Sequence, residues 1–137
     1  MGTKLTKKDS EFSEVLGIIR AGRAKAYEAV NVALIETYWA VGAHLSRKVA
    51  EASWGKGIVK ELSDWLLTRA PDLKGFSASN LWRMKQFYET YAETTKVAAL
   101  LRLLPWAHNL MILGHSSRPE EREFYLRLAV RSKRRLP

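Results

Sequence analysis

The sequence predicts an all-α domain, a helical bundle arranged around one long N-terminal helix. Apolar residues recur at helical spacing from Phe12 to Leu45, and shorter stretches with the same period follow. No segment shows the sustained alternation and hairpin turn that paired strands require. With 137 residues the chain is long enough for one hydrophobic core. We expect a flexible basic tail over 1–11, a single helical domain over 12–131 and a basic C-terminal tail over 132–137.

The first helix is predicted to end between Lys48 and Ala52, with a kink near Gly17 or Gly22. A stripe this long predicts that later helices pack along all of it. The apolar stripe consists of Phe12, Val15, Leu16, Ile19, Ala26, Val30, Ala33, Leu34, Tyr38, Val41 and Leu45.

Two helices follow the SWGKG turn. One is predicted from Ile58 to Arg69, where Pro71 stops it. The other begins after Ser77, a favourable N-cap residue, and runs to Tyr91. The buried faces are predicted to be Ile58, Val59, Leu62, Trp65 and Leu66 in the former, and Leu81, Met84, Phe87, Tyr88 and Tyr91 in the latter.

The remaining residues predict three more helical segments. A short apolar helix begins at Val97, and Pro105 occupies the first turn of a helix through Leu113. The sequence SRPE from Ser117 is a capping-box pattern that begins a helix ending near Arg131. We expect this last helix to direct Phe124, Tyr125 and Leu128 inward.

The charge favours a polyanionic partner. Lys and Arg number 23 against 14 Asp and Glu, a net charge of +9. A charge of this size repels itself, so we favour nucleic acid as the partner over a basic protein whose charge serves solubility alone.

The composition and the chain's start also restrict where the protein acts. Cysteine is absent, which excludes disulfides, thiolate chemistry and cysteine-ligated zinc. The segment Met1–Ser10 lacks the apolar stretch of a secretory signal, and Val97–Leu113 is interrupted by polar residues and proline. We therefore expect a cytoplasmic protein that makes no contact with membranes.

The helices 58–69 and 77–91 have the layout of a helix-turn-helix, in which the second helix reads the major groove. Arg83 and Gln86 suit guanine and adenine edges, and Ser79 suits a base or a phosphate. Ser77 at the helix start suits a phosphate, and Trp82 is predicted to project away from the core. The predicted phosphate contacts are Lys74, Lys85, Arg131, Lys133, Arg134 and Arg135.

Each of these features also has a purely structural interpretation. The connection 70–76 is longer than a compact helix-turn-helix allows, so the pair is equally consistent with an ordinary helical hairpin with a solvated polar face. The terminal basic residues fit a solvated tail, and an outward Trp82 fits a docking or dimer surface.

Residues for catalysis are not found. His44, His108 and His115 are scattered, and the acidic residues are dispersed along helices rather than clustered for a divalent cation. SWGKG lacks the spacing of a phosphate-binding loop, and no Glu-x-Lys follows Pro71-Asp72. We expect no catalytic site, metal or cofactor.

Several segments together resemble a known family. NVALIETYWAVG, GFSASNLWRMKQFYETY, LPWAHNLMIL and PEEREFYLRLAV resemble, in this order, the N-terminal domain of the bacterial YhcG-type proteins. The distinctive positions are Gly75, Phe76, Ser77, Asn80, Leu81, Met84, Phe87 and Tyr88. In that family a helical domain of helix-turn-helix type precedes a nuclease domain of the PD-(D/E)xK superfamily.

The resemblance implies a DNA-binding or targeting role, with double-stranded DNA as the expected partner. The nuclease half does not follow within the 137 residues, so nuclease activity and metal ligands are not carried over. The alternative is a protein-interaction module that forms a homodimer or docks a nuclease subunit through its long helix. RNA binding is compatible with the charge but has no motif in its favour.

Overall fold

The computed structural model describes residues 6–52 and 54–135. Within these ranges the chain forms six α-helices and one short 3-10 helix, without any strand. The helices are α1 (Lys7–Ala50), α2 (Lys56–Arg69), α3 (Ala78–Tyr91), α4 (Ala98–Arg102), α5 (Trp106–His115) and α6 (Pro119–Arg135), with the 3-10 helix at Thr95–Val97. The predicted all-α class and the long N-terminal helix are confirmed.

The long helix α1 begins earlier than its apolar stripe indicates. Thr6 Oγ1 accepts from the Asp9 backbone N–H (3.0 Å), and the Asp9 carboxylate accepts from the Thr6 N–H (3.2 Å). This reciprocal capping box starts the helix at Lys7, inside the predicted tail 1–11. Likewise α6 continues to Arg135, inside the predicted tail 132–137. Residues 1–5 and 136–137 of the two tails lie outside the described residues.

The core is built around α3. Its buried residues Leu81, Met84, Phe87 and Tyr91 lie where the apolar spacing predicts them, while Tyr88 is half-buried. The Phe87 ring makes edge contacts with three aromatic rings, with centroid distances of 5.7 Å to Trp39, 5.5 Å to Tyr91 and 5.1 Å to Trp106. These contacts join α1, α3 and α5 in one cluster.

The helices α1 and α3 touch backbone to backbone at Gly42. A Cβ atom added there would overlap the carbonyl group of Met84, so only glycine allows this approach. Ile35, Tyr38 and Leu45 lie on the same side of α1 and are buried. The second half of α1 is therefore the part that holds α3.

Two asparagine side chains fix the turn between α4 and α5. The buried Asn109 amide donates to the carbonyls of Leu101 (3.0 Å) and Leu104 (3.2 Å). From α1, the Asn31 amide donates to the carbonyls of Arg102 (2.9 Å) and Leu104 (3.0 Å). These bonds bring additional donors to the carbonyls at the end of α4, and they attach α4 to α1 at Asn31.

Three predicted apolar faces differ from the structure. Residues 7–30 of α1 are exposed throughout, so later helices pack only on its second half. In α6, Leu126 and Val130 are buried, whereas Phe124, Tyr125 and Leu128 are exposed. Phe124 and Leu128 have the same i,i+4 spacing as Leu126 and Val130. The smaller, aliphatic pair is the one that faces the core.

The α2 face is the third difference. Val59 is buried and Leu62 and Leu66 are half-buried, but Ile58 and Trp65 are exposed. The Arg69 guanidinium lies 4.8 Å from the centre of the Trp65 ring, a cation–π contact that covers part of this exposed aromatic.

Candidate nucleic-acid interface

The start of α3 is fixed by a small set of hydrogen bonds. Ser77 is the N-cap, as predicted, and its Oγ accepts from the Asn80 backbone N–H (3.1 Å). The Asn80 side chain donates to the Gly75 carbonyl and accepts from Trp106 Nε1 (3.1 Å). Gly75 has φ +91°, a conformation that favours glycine. The beginning of α3 is thereby held against α5.

The outward face of α3 presents three polar side chains in line. Ser79, Arg83 and Gln86 are exposed and lie within about 60° of one another around the helix. Arg83 and Gln86 line an open groove of about 320 Å³ between α3 and α5, whose other wall includes the exposed Met111. No carboxylate of the described residues lies within ion-pair distance of Arg83. Its guanidinium is available to an anion.

Trp82 and Lys85 lie on the flank of this outward set. Trp82 is half-buried and packs against the core, so the predicted outward position is wrong. Lys85 Nζ lies 5.7 Å from the centre of the Trp82 ring and forms an ion pair with Glu89 (2.9 Å), while the Lys85 side chain is only 18% exposed. Because Lys85 already has an acidic partner, its charge is less available to a phosphate than the sequence predicts.

Glu89 joins this pair to α1. Ser46 Oγ donates to Glu89 Oε2 at 2.8 Å. Burial by itself would raise the pKa of the Glu89 carboxyl, but hydrogen bonds from Lys85 and Ser46 and the charge of Lys85 outweigh it and lower that pKa below its ordinary value. Lys85, Glu89 and Ser46 thus form a polar seam between α3 and α1.

The connection between α2 and α3 carries the predicted Lys74, which is exposed. Ser63 Oγ in α2 donates to the Phe76 carbonyl at 2.9 Å, so the end of this connection is tied to α2. The α2–α3 pair therefore has a fixed geometry, with a connection as long as the sequence indicates.

The C-terminal basic residues lie elsewhere. Arg131 and Lys133 are exposed on α6, and Lys133 Nζ donates to the Leu103 carbonyl (2.8 Å). Lys133 also borders a cavity of about 120 Å³ lined by Glu28 and Asn31 of α1 and by α4. No contact joins these residues to Ser79, Arg83 or Gln86 in the described part of the chain. The side chains of Arg134 and Arg135 lie outside the described residues.

The sequence did not indicate that α5 forms the second wall of the groove beside Arg83 and Gln86. The exposed residues Ala107 and Met111 of α5 are four positions apart, and this spacing was the available signal. The Lys85–Glu89 pair had a signal too, since Lys and Glu are four residues apart on one helix. The contacts of Trp106 with Asn80, 26 positions apart, and of Ser46 with Glu89, 43 positions apart, could be found only from the fold.

Residues 6–52 and 54–135 contain no group of three or more His, Asp or Glu side chains placed to hold a metal ion. In the same ranges no helix combines the length and apolar character needed to cross a bilayer.

Comparison with known proteins identifies the family of this chain. A family model described as the DUF1016 N-terminal domain matches residues 14–135. No curated protein and no solved structure gave a match. The matched range includes α2 to α6 and most of α1, and it contains every segment that resembles the YhcG-type proteins. The chain belongs to the family of DUF1016 N-terminal domains, the N-terminal domain of the YhcG-type proteins.

Proposed function

We infer that the domain binds double-stranded DNA through the outward face of α3, as a targeting module without a catalytic site of its own. The observation that carries this proposal is the line of Ser79, Arg83 and Gln86 on a rigid helix, with Arg83 free of any acidic partner among the described residues. Arginine binds guanine bidentately and glutamine binds adenine in the same way, which is the chemistry of major-groove reading.

The way α3 is held supports this role. Its inner face is locked by Phe87 and by the Gly42 crossing, and its start is fixed by Asn80 and Trp106. Rigid presentation lowers the entropy lost on binding and fixes which bases each side chain can reach. The groove between α3 and α5 leaves Arg83 accessible from solvent.

Positive charge outside the α3 face would supply non-specific affinity. Lys74, Arg131 and Lys133 are exposed, and the chain carries a net charge of +9. Contacts of this kind with phosphates release counterions, so binding would weaken steeply with salt. Lys85 and Trp82 support the position of α3 in this proposal rather than touching DNA. The family resemblance adds that the module would direct a nuclease domain to its substrate.

The proposal is tested by duplex binding across a salt series. Arg83→Ala should weaken binding to a selected sequence by about 1–3 kcal/mol and relax the preference at one base pair, because a bidentate contact is lost. Lys60→Ala is the matched control, since it also removes one positive charge but from a residue paired with Asp64 at 3.4 Å. Equal effects of the two substitutions would contradict base reading by α3, and the absence of binding at low salt would refute the DNA-binding function.

A further inference from the structure

The groove between α3 and α5 has two chemically different walls. On the α3 wall, Arg83 and Gln86 are exposed and offer hydrogen-bond donors. The α5 wall consists of Ala107, Leu110, Met111, Leu113 and Gly114. None of these five side chains carries a charge or a hydrogen-bond donor. The contacts proposed above for α3 use the polar wall of this groove and leave its apolar wall without a role.

Met111 projects from the α5 wall. Its side chain is 61% exposed. Ala107 and Gly114, both small, lie on the same side of α5 as Met111, within about 60° of arc. A Cβ atom added at Gly114 would meet no atom within 4 Å, so the space beside Met111 is open. An unbranched thioether side chain with this freedom adapts to the shape of a bound surface.

The position of α5 relative to α3 is fixed. Trp106, in the first turn of α5, donates from Nε1 to the Asn80 side chain of α3 at 3.1 Å. The Trp106 ring also packs edge-on against the Phe87 ring of α3, with a centroid distance of 5.1 Å. Met111 is therefore held on the opposite side of the groove from Gln86, and a molecule that enters the groove meets both side chains.

A polar wall beside an apolar wall matches the edge of an A·T base pair. In the major groove this pair presents the hydrogen-bonding edge of adenine together with the methyl group of thymine. Glutamine binds that edge of adenine bidentately, and apolar side chains contact the thymine methyl group. A G·C pair has no methyl group and would give Met111 no apolar partner.

We propose that Met111 determines sequence specificity by contacting the methyl group of the thymine whose paired adenine binds Gln86. This inference rests on the proposed binding of double-stranded DNA through α3, and it extends the reading surface to α5. Met111 and the thymine methyl group are both exposed to water before binding, so their contact removes apolar surface from solvent.

Replacement of thymine by deoxyuridine tests this contact, because it removes the methyl group and keeps every hydrogen-bonding group of the base. The experiment begins with a duplex that the unmodified chain selects from a random pool, in which each thymine is replaced in turn. At one thymine the replacement should weaken binding of the unmodified chain by about fourfold, the effect of one methyl-sized apolar group. Gln86→Ala should relax the preference at the same base pair, and a relaxed preference elsewhere would overturn the shared placement.

Met111→Ala should bind the selected duplex more weakly and should not distinguish thymine from deoxyuridine at that position. Met111→Leu keeps an apolar side chain and should retain most of the methyl effect. Ile18→Ala is the matched control, since Ile18 is an apolar side chain of α1 that is 72% exposed and lies outside the groove. This control should show the same methyl effect as the unmodified chain. Circular dichroism checks that all three variants are folded.

Two outcomes would overturn the proposal. One is the absence of a methyl effect at every thymine, and the other is a methyl effect in Met111→Ala equal to that of the unmodified chain. In both cases a loss of affinity on Arg83→Ala would still support DNA binding by α3, so failure of this inference is distinguishable from failure of the proposed function. The absence of duplex binding at low salt would overturn both.

Discussion

The two halves of α1 share one continuous helix but have different surroundings. Residues 7–30 are exposed, whereas Ile35, Tyr38, Gly42 and Leu45 form part of the core with α3. Apolar residues recur at helical spacing in both halves. The difference teaches that helical periodicity identifies an apolar face but does not show whether another helix of the same chain covers it.

We expect the largest effect when an aliphatic side chain is truncated in the packed half of α1, compared with the same truncation in the exposed half. Leu45 is 1% exposed and Ile18 is 72% exposed. Leu45→Ala should lower the free energy of unfolding by about 2–5 kcal/mol, because it leaves a cavity between α1 and α3. Ile18→Ala should change it by less than about 0.5 kcal/mol. Urea unfolding of both variants makes the comparison, and a loss of similar size for Ile18→Ala would show that the first half is covered within the chain.

Glycine-to-alanine substitutions should have opposite signs in the two halves. Gly42→Ala places a Cβ atom against the Met84 carbonyl and should destabilise the domain by about 1–3 kcal/mol, because the backbones of α1 and α3 must separate. Gly17 has no neighbouring atom within 4 Å of such a Cβ atom and points away from the apolar face of the exposed half. Gly17→Ala should therefore stabilise the helix by up to about 1 kcal/mol.

Thermal unfolding followed by circular dichroism at 222 nm measures both glycine variants. A stabilising effect of Gly42→Ala would contradict the close crossing of α1 and α3. A destabilising effect of Gly17→Ala would mean that a backbone approaches the first half of α1 on the side of Gly17.

The core face of α3 could be predicted from the sequence, since Leu81, Met84, Phe87 and Tyr91 have the spacing of one helix face and Ser77 has the chemistry of an N-cap. The outward set Ser79, Arg83 and Gln86 follows from the same periodicity. The position of Trp82 could not be predicted, because periodicity places residues around one axis but does not show how far neighbouring helices extend over the flanks. For the same reason α6 offered two apolar pairs of equal spacing, and only packing selects Leu126 and Val130.

The smallest effect concerns the polar seam at the packed half of α1, where Ser46 and Lys85 both bond Glu89. The pKa of Glu89 in the folded chain is lower than its ordinary value of 4.5. The ionised carboxylate therefore stabilises the fold at pH values above 4.5, and this contribution is lost as the pH falls through the lowered pKa. Because the pair is partly exposed, we expect only a few tenths of a kcal/mol.

Glu89→Gln isolates this contribution from the other acids of the chain. The amide keeps hydrogen-bonding capacity toward Lys85 and Ser46 but has no charge to lose, so the variant should be slightly less stable than the unmodified chain at neutral pH and equally stable well below the lowered pKa. Urea unfolding of both proteins from neutral pH to acidic pH measures the gap. A gap that stays constant over this range would mean that Glu89 acts through packing rather than charge. A gap that closes as the pH falls would show that the polar seam holds α3 to the second half of α1 electrostatically, a restraint that the described contacts do not give to the first half.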